Sequence, residues 1–379
     1  MTNLSAIGGS DVHICHRCLM PSTRPRIVFD ESGVCNGCLN ADAKDDIDWV
    51  ARKAEFEQLV EENRPAKGHY DCIVPWSGGK DSSAIAWRLK HDYGLNPLLV
   101  TFSPMIPTEV GVQNREALLR AGFDHLLIRP NQLVARHLGQ RFFRERGNPK
   151  VAWDAGVTAT PMQVAVRYEI PLIFYAEHGE SEYGGRVLSE EHRKMRDMAE
   201  FLEHQVGDDP MNWVDDVAEE HDLAPMLYPD MEDVERVGVK ALYFGYFHRW
   251  DVYKNYELIR DAIDFRTAPG GSTDGTFTNC DSLDDKIDNL YYYMQFIKFG
   301  FGRTTRDASR MIQLGHITRE QGLEYVRQYD DEFPHTDLDD VLEYLDLDRA
   351  GLEELIDMHR NSEIWEKTAN GWQTRFDIR

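Results

Sequence analysis

Between residues 70 and 176 short apolar runs alternate with longer stretches in which apolar positions recur every three or four residues. The runs at 72–76, 98–102, 125–128 and 172–176 are the length of buried strands, whereas 81–91, 108–121, 131–146 and 160–168 carry the helical period. Strand and helix in alternation predict an α/β fold, a parallel sheet with helices on both faces. A fifth strand is expected at 241–246, after a mostly helical insertion at about 186–235. Upstream, Trp49, Val50, Phe56, Leu59 and Val60 predict a helix over 47–62, and Pro65 and Gly68 mark a linker over 64–69. Beyond Val252 the pattern is helical, with segments at 256–263, 283–299, 304–314, 318–329 and 338–344. The expected organisation is therefore an N-terminal module over 1–45, a helix and linker over 46–69, an α/β domain over 70–251 and a helical region over 252–379.

Charge narrows the classes of partner. Forty-two Lys and Arg face 66 Asp and Glu, a formal charge of −24. Binding a polyanion depends on phosphate neutralisation by cations, so nucleic acid is not an expected partner. No apolar run reaches the roughly 18 residues of a membrane span. Met1 to Asp11 has neither the basic cluster nor the apolar core of a secretory signal, so a cytoplasmic location is expected.

Four of the six cysteines form two pairs, Cys15-x2-Cys18 and Cys35-x2-Cys38, separated by sixteen residues. In a chain without a secretory signal this pattern points to metal rather than disulfides. Zinc takes four tetrahedral ligands, and each Cys-x-x-Cys turn presents two thiolates to one ion, with Gly33 and Gly37 permitting the tight turns. The N-terminal module thus reads as a zinc ribbon; an iron–sulfur cluster is the alternative. Four protein ligands leave no open position, so the expected role is folding rather than catalysis. Gly33 to Gly37 also fits the Gly-x-Cys-x-Gly of a glutaminase nucleophile elbow, with His178-Gly179-Glu180 as its partner. No buried strand leads into Cys35, however, and Cys35 completes the metal quartet, so that reading is rejected. Cys72 and Cys280 have no visible ligand partner and receive no role.

The second motif is Ser77-Gly78-Gly79-Lys80-Asp81-Ser82-Ser83, between the first predicted strand and the first helix of the α/β block. A strand, a glycine turn and a helix N-terminus in that order form an anion cradle, because unpaired backbone N–H groups and the helix dipole favour phosphate. Gly78 and Gly79 permit close approach, the Ser77 and Ser82 hydroxyls can donate, Lys80 adds positive charge and Asp81 can hold Mg²⁺. The spacing is not that of a Walker A loop. Glu177, His178 and Glu180 follow the fourth strand, at the edge where parallel sheets bind ligands, and are candidates for a general base or Mg²⁺ ligand. Tyr183, Gly184 and Gly185 form a candidate substrate loop. Arg303 could meet an anionic sugar or phosphate, or close a salt bridge within the fold.

The loop Ser77 to Ser83 closely resembles the Ser-Gly-Gly-x-Asp-Ser signature of the PP-loop ATP pyrophosphatases. More widely, the chain resembles the N-acetyl sugar amidotransferases of bacterial surface-polysaccharide and nonulosonic acid pathways. The carriers are Cys15-His16-Arg17-Cys18-Leu19-Met20-Pro21, Phe29-Asp30-Glu31-Ser32-Gly33-Val34-Cys35, Ile73 to Ser83 and Glu180-Ser181-Glu182-Tyr183-Gly184-Gly185. Two more are Ser282-Leu283-Asp284-Asp285-Lys286-Ile287-Asp288 and Lys298-Phe299-Gly300-Phe301-Gly302-Arg303. Ala176 and His178 depart from the Gly and Asn of that pattern. The resemblance implies an adenine nucleotide α-hydrolase-like domain that uses ATP, Mg²⁺ and structural Zn²⁺. It also implies that a sugar N-acetyl oxygen attacks the α-phosphate, releasing pyrophosphate. Ammonia from a partner glutaminase, channelled through a cyclase-like subunit, then displaces AMP to leave an acetamidino group. The rival is a PP-loop tRNA-modifying, sulfur-transfer enzyme, which requires a basic surface and catalytic cysteines outside the metal site.

Overall fold

The computed structural model describes residues 12–64, 70–196, 206–369 and 371–378. The expected linker falls largely on 65–69, outside the described residues, as do Met1 to Asp11 and the middle of the insertion.

Five parallel strands, β1 (Cys72–Pro75), β2 (Pro97–Phe102), β3 (Asp124–Ile128), β4 (Leu172–Tyr175) and β5 (Lys240–Tyr243), form a sheet in the order β3-β2-β1-β4-β5. Ile73 of β1 sits in register with Leu98 of β2 on one side and Ile173 of β4 on the other. Both faces are covered, which is why β2 and β4 read as continuous apolar runs rather than alternating ones. Side chains still alternate across the sheet. Cys72, Val74, Leu99, Leu172 and Phe174 pack with Ala84, Ile85 and Leu89 of the helix α1 (Lys80–His91). On the opposite face Ile73, Leu98, Val100 and Ile173 pack with Met162, Val164 and Ala165 of a long helix over Val151–Tyr168. Each such fully buried side chain contributes about 1.5–3 kcal/mol. Edge strand β3 is only half covered, and Leu127 is exposed.

Three departures from the sequence reading have local causes. The helix expected from 160 begins at Val151, and Pro161 lies inside it. Its first turns are rich in small residues, Ala152, Ala155, Gly156 and Ala159 among them, and an added Cβ on Gly156 would lie 2.3 Å from the Phe102 ring; close packing there replaces the usual apolar period. The helix expected from 283 begins at Asp288, because 283–287 is engaged elsewhere. The Asp285 carboxylate accepts from the backbone N–H groups of Met105 (2.7 Å) and Ile106 (3.0 Å), tying this segment to the end of β2. The strand expected at 241–246 stops at Tyr243 and turns into a single helical turn, Phe244–Phe247.

The region beyond Val252 is not helical throughout. After six helices, the last of them Arg349–Met358, it ends in an antiparallel hairpin, β6 (Trp365–Thr368) and β7 (Gly371–Thr374). These strands lack apolar alternation and are held instead by Arg360, whose guanidinium lies 4.6 Å from the Trp365 ring and 5.0 Å from that of Trp372. Among the described residues no helix is long and apolar enough to cross a membrane.

Candidate functional site

In this strand order the chain leaves β1 toward β2 and leaves β4 toward β5, so the crevice between the carboxyl ends of β1 and β4 is the topological switch point. Ligands of open parallel sheets bind at such a point. The loop after β1 is shaped there by its own residues. Gly78 has φ +98°, a left-handed conformation that disfavours any side chain, and a Cβ would meet the Arg115 side chain at 2.5 Å. Gly79 is the N-cap of α1 and supplies no side-chain cap, so the first-turn N–H groups stay available for an anion. Ser77 Oγ accepts from Gly79 N at 3.2 Å, and Ser83 N donates to Gly79 O at 3.1 Å. Ser83 Oγ accepts from the indole of Trp76 at 2.8 Å and is buried beneath the loop, whereas Ser77 and Ser82 line the cavity in front of it.

That cavity has a volume of about 370 Å³. The loop forms its polar end; Val100, Phe102, Trp153, Val157 and Tyr175 form an apolar wall; Cys280, Asp281, Ser282 and Asp284 close the third side. Lys80 is 4 % exposed and bonds the carboxylates of both Asp81 (2.7 Å) and Asp281. Burial opposes its charge, but these two carboxylates hold the ammonium well above its ordinary pKa. Asp81 also accepts from Asn255 Nδ2 at 2.9 Å. Asp284 has its carboxyl pushed up to about 7 by burial and by nearby Asp288, and the Cys280 thiol is raised to about 12 by burial and by Asp281.

The residues after β4 divide into two groups. Glu177 accepts from the Tyr183 hydroxyl at 3.4 Å. Burial raises its pKa, as does the neighbouring charge of Asp81, and burial beside Glu177 pushes the Tyr183 phenol well up. Lys80, Asp81, Glu177 and Tyr183 therefore share one electrostatic neighbourhood. His178 and Glu180 instead hold the loop. His178 caps the five-residue helix Gly179–Tyr183, where its Nδ1 accepts from Ser181 N at 3.2 Å. Burial and the adjacent His192 lower its pKa to about 3. Glu180 pairs with Arg26 at 2.7 Å and accepts from Arg186 N at 2.8 Å. Gly184 has φ +79°, and a Cβ on Gly185 would collide with the Glu180 carboxylate. Arg303 lies behind the pocket wall, donating to Asp281 O at 3.0 Å and to Asn289 at 3.4 Å.

Four residues of this neighbourhood were not anticipated. Asp281 and Asn255 partner Lys80 and Asp81 across 201 and 174 residues of sequence. Glu182 lies buried between Lys44, at 2.7 Å, and the guanidinium of Arg310. No local pattern marks such pairs.

The four cysteines come together as the spacing requires. All are buried, and their sulfurs lie within 4.8 Å of one another. Cys15 and Cys38 are 3.8 Å apart and Cys18 and Cys35 3.6 Å. A tetrahedral zinc with bonds of about 2.3 Å needs sulfurs about 3.8 Å apart, so the donor set fits one zinc ion. Backbone N–H groups of Met20 and Cys35 point at Cys18 Sγ and Cys15 Sγ, at 3.4 and 3.2 Å, favouring thiolates. This spacing has no room for the bridging sulfides of an iron–sulfur cluster.

Fold and site together define an α/β protein with a glycine turn and a helix N-terminus at the switch point of a parallel sheet and a separate four-cysteine centre. Comparison with known proteins adds that residues 252–378 match the family model described as LPS biosynthesis protein WbpG-like, C-terminal domain. That segment contributes Asn255, Asp281, Arg303 and Arg310. A stretch of 101 residues is 29% identical to the uncharacterized protein MJ1599 of Methanocaldococcus jannaschii, covering 26% of this chain and 36% of that protein. The chain thus spans about a third of the length of the curated relative it matches.

Proposed function

We propose that the chain is a PP-loop enzyme of polysaccharide biosynthesis, an ATP-dependent, AMP-forming amidotransferase that converts a sugar N-acetyl group to an acetamidino group. The observation that carries this reading is the junction at Lys80. There the Ser-Gly-Gly-Lys-Asp-Ser loop, at the switch point, meets Asp281 from the segment similar to an LPS biosynthesis domain. A pocket of about 370 Å³ lies within the range of small-molecule sites and has one polar and one apolar end, as a nucleoside triphosphate requires.

A neutral amide is a poor electrophile. Adenylation of its oxygen supplies a leaving group, and ammonia then displaces AMP. In this reading the loop N–H groups and the Lys80 ammonium receive the charge of departing pyrophosphate. Asp81 would hold Mg²⁺, which supplies further charge neutralisation when bound. Glu177, with its raised pKa, is the base that takes the proton from attacking ammonia, and Tyr183 orients it. The Cys quartet holds zinc and stands outside the reaction. Ammonia comes from a glutaminase working with a cyclase-like channelling subunit, and the reaction takes place in the cytoplasm.

The test is product analysis with ATP, Mg²⁺, ammonium and a panel of free and nucleotide-linked acetamido sugars. AMP and pyrophosphate in equal amounts, with a product in which NH replaces the amide oxygen, are expected. ADP and orthophosphate as products would overturn the assignment.

A further inference from the structure

The helix Gly179–Tyr183 has five residues, too few to be stable alone, since helix nucleation is costly and short helices in water are marginal. Its terminal carbonyls also lack helical partners and must be bonded from elsewhere. The bonds come from far along the chain. Ser181 O accepts from Asn40 Nδ2 at 3.1 Å, Gly185 O from Asn36 Nδ2 at 2.7 Å, and Gly184 O from the Arg24 guanidinium. Glu182 O accepts from Arg310 at 3.2 Å. Three of these four donors belong to the cysteine module.

The contact is closest at the second Cys-x-x-Cys turn itself. Asn36 and Gly37 are the two residues between Cys35 and Cys38. A Cβ on Gly37 would lie 3.1 Å from Gly184 N, and a Cβ on Gly184 would lie 3.0 Å from Gly37 N. The two backbones lie in close contact, and a Cβ on either side would force them apart by a few tenths of an ångström. Because the ion closes this turn through the flanking sulfurs, the position of the turn depends on the ion.

We infer that the four-cysteine centre is a positioning device for the loop that carries Glu177 and Tyr183, with Asn36, Gly37 and Asn40 as the positioning residues. The metal fixes the turn, the turn caps the short helix, and the helix holds Tyr183 against Glu177. The consequence for turnover rests on the function proposed above; the consequence for loop order does not.

The test is amide hydrogen exchange on the full chain, as purified, after chelation, and in an Asn36→Ala/Asn40→Ala variant that keeps all four cysteines. The variant should retain about one zinc per chain and native protection in β1, β2 and β4. Amides 178–186 should exchange about tenfold faster or more, the factor for one lost hydrogen bond. Chelation should expose the same amides first. Acceptor-dependent kcat should fall by a similar factor with the KM for ATP unchanged, a split that general destabilisation does not produce. Unchanged protection of 178–186 in the variant would overturn the inference, as would loosening spread evenly over the sheet. Absence of AMP formation with the exchange pattern intact would instead count against the proposed reaction alone.

Discussion

The loops after β1 and β4 face each other across one crevice but are built in opposite ways. The backbone of the first is shaped mainly within eight residues, by the Gly78 dihedral, the Ser77–Gly79 and Ser83–Gly79 bonds and the Trp76 indole on Ser83, while Arg115 donates to Ser77 O and Asp281 and Asn255 hold the Lys80 and Asp81 side chains from elsewhere. The second is fixed from outside, by Arg24, Arg26, Asn36, Asn40 and Lys44 on one side and Arg310 on the other. A locally determined loop should tolerate changes elsewhere in the chain and fail chemically when its own residues change. A remotely determined loop should fail structurally, and at positions distant from the reacting groups.

The comparison is broken most directly by changing the chemistry of the first loop alone. Asp81→Asn should lower turnover about 100- to 1,000-fold, the scale of losing one transition-state charge contact, while the loss of stability stays below that of Glu182→Gln, because Asp281 still pairs the buried Lys80. Steady-state kinetics beside urea unfolding separates the two quantities. Glu182→Gln should do the reverse on the second loop. It leaves Lys44 and Arg310 buried with a reduced counter-charge, and breaking a buried pair costs about 3–5 kcal/mol. Urea unfolding should report that loss, and Glu180→Gln, at the more exposed Arg26 pair, should cost clearly less.

Acid sharpens the contrast further. The fold prefers neutral His178, with a pKa of about 3 against about 6.5 when free. Its contribution is therefore present above pH 6.5 and lost as pH falls toward 3, amounting to about 2 kcal/mol by pH 5. Protonated Nδ1 can no longer accept from Ser181 N. Protection of amides 179–183, corrected for the slower intrinsic exchange in acid, should fall between pH 7 and 5, and His178→Asn, which keeps a capping acceptor, should flatten that profile. The smallest effect is Gly184→Ala, about 1–2 kcal/mol from the left-handed backbone, plus the close approach to Gly37. Thermal unfolding of the variant should show that modest loss.

The same contrast explains what was legible in the sequence. Ser77 to Ser83 and the two cysteine pairs are local patterns whose spacing carries their geometry, and the sheet followed from apolar runs covered on both faces. At the second loop, residue types pointed to a site but could not separate Glu177, which faces Asp81, from Glu180, which faces Arg26. That distinction depends on residues 96 and 154 positions away. Asp281, Asn255 and Arg310 were hidden for the same reason, and the β6–β7 hairpin because cation–aromatic contacts replace apolar alternation there.

The pairing of Lys80 with Asp281 also bears on how the protein is made. The cysteine quartet closes over a span of 23 positions, whereas Lys80 waits 201 residues for Asp281 and Leu19 waits 290 for Ser309. At about 5–20 residues per second, 201 residues take on the order of 10–40 s to synthesise. A growing chain can therefore capture its metal long before the pocket has a third wall. During that interval the apolar side chains around the cysteines, Leu19 and Met20 among them, have no helical seat to cover them, and the nascent protein is most exposed to aggregation.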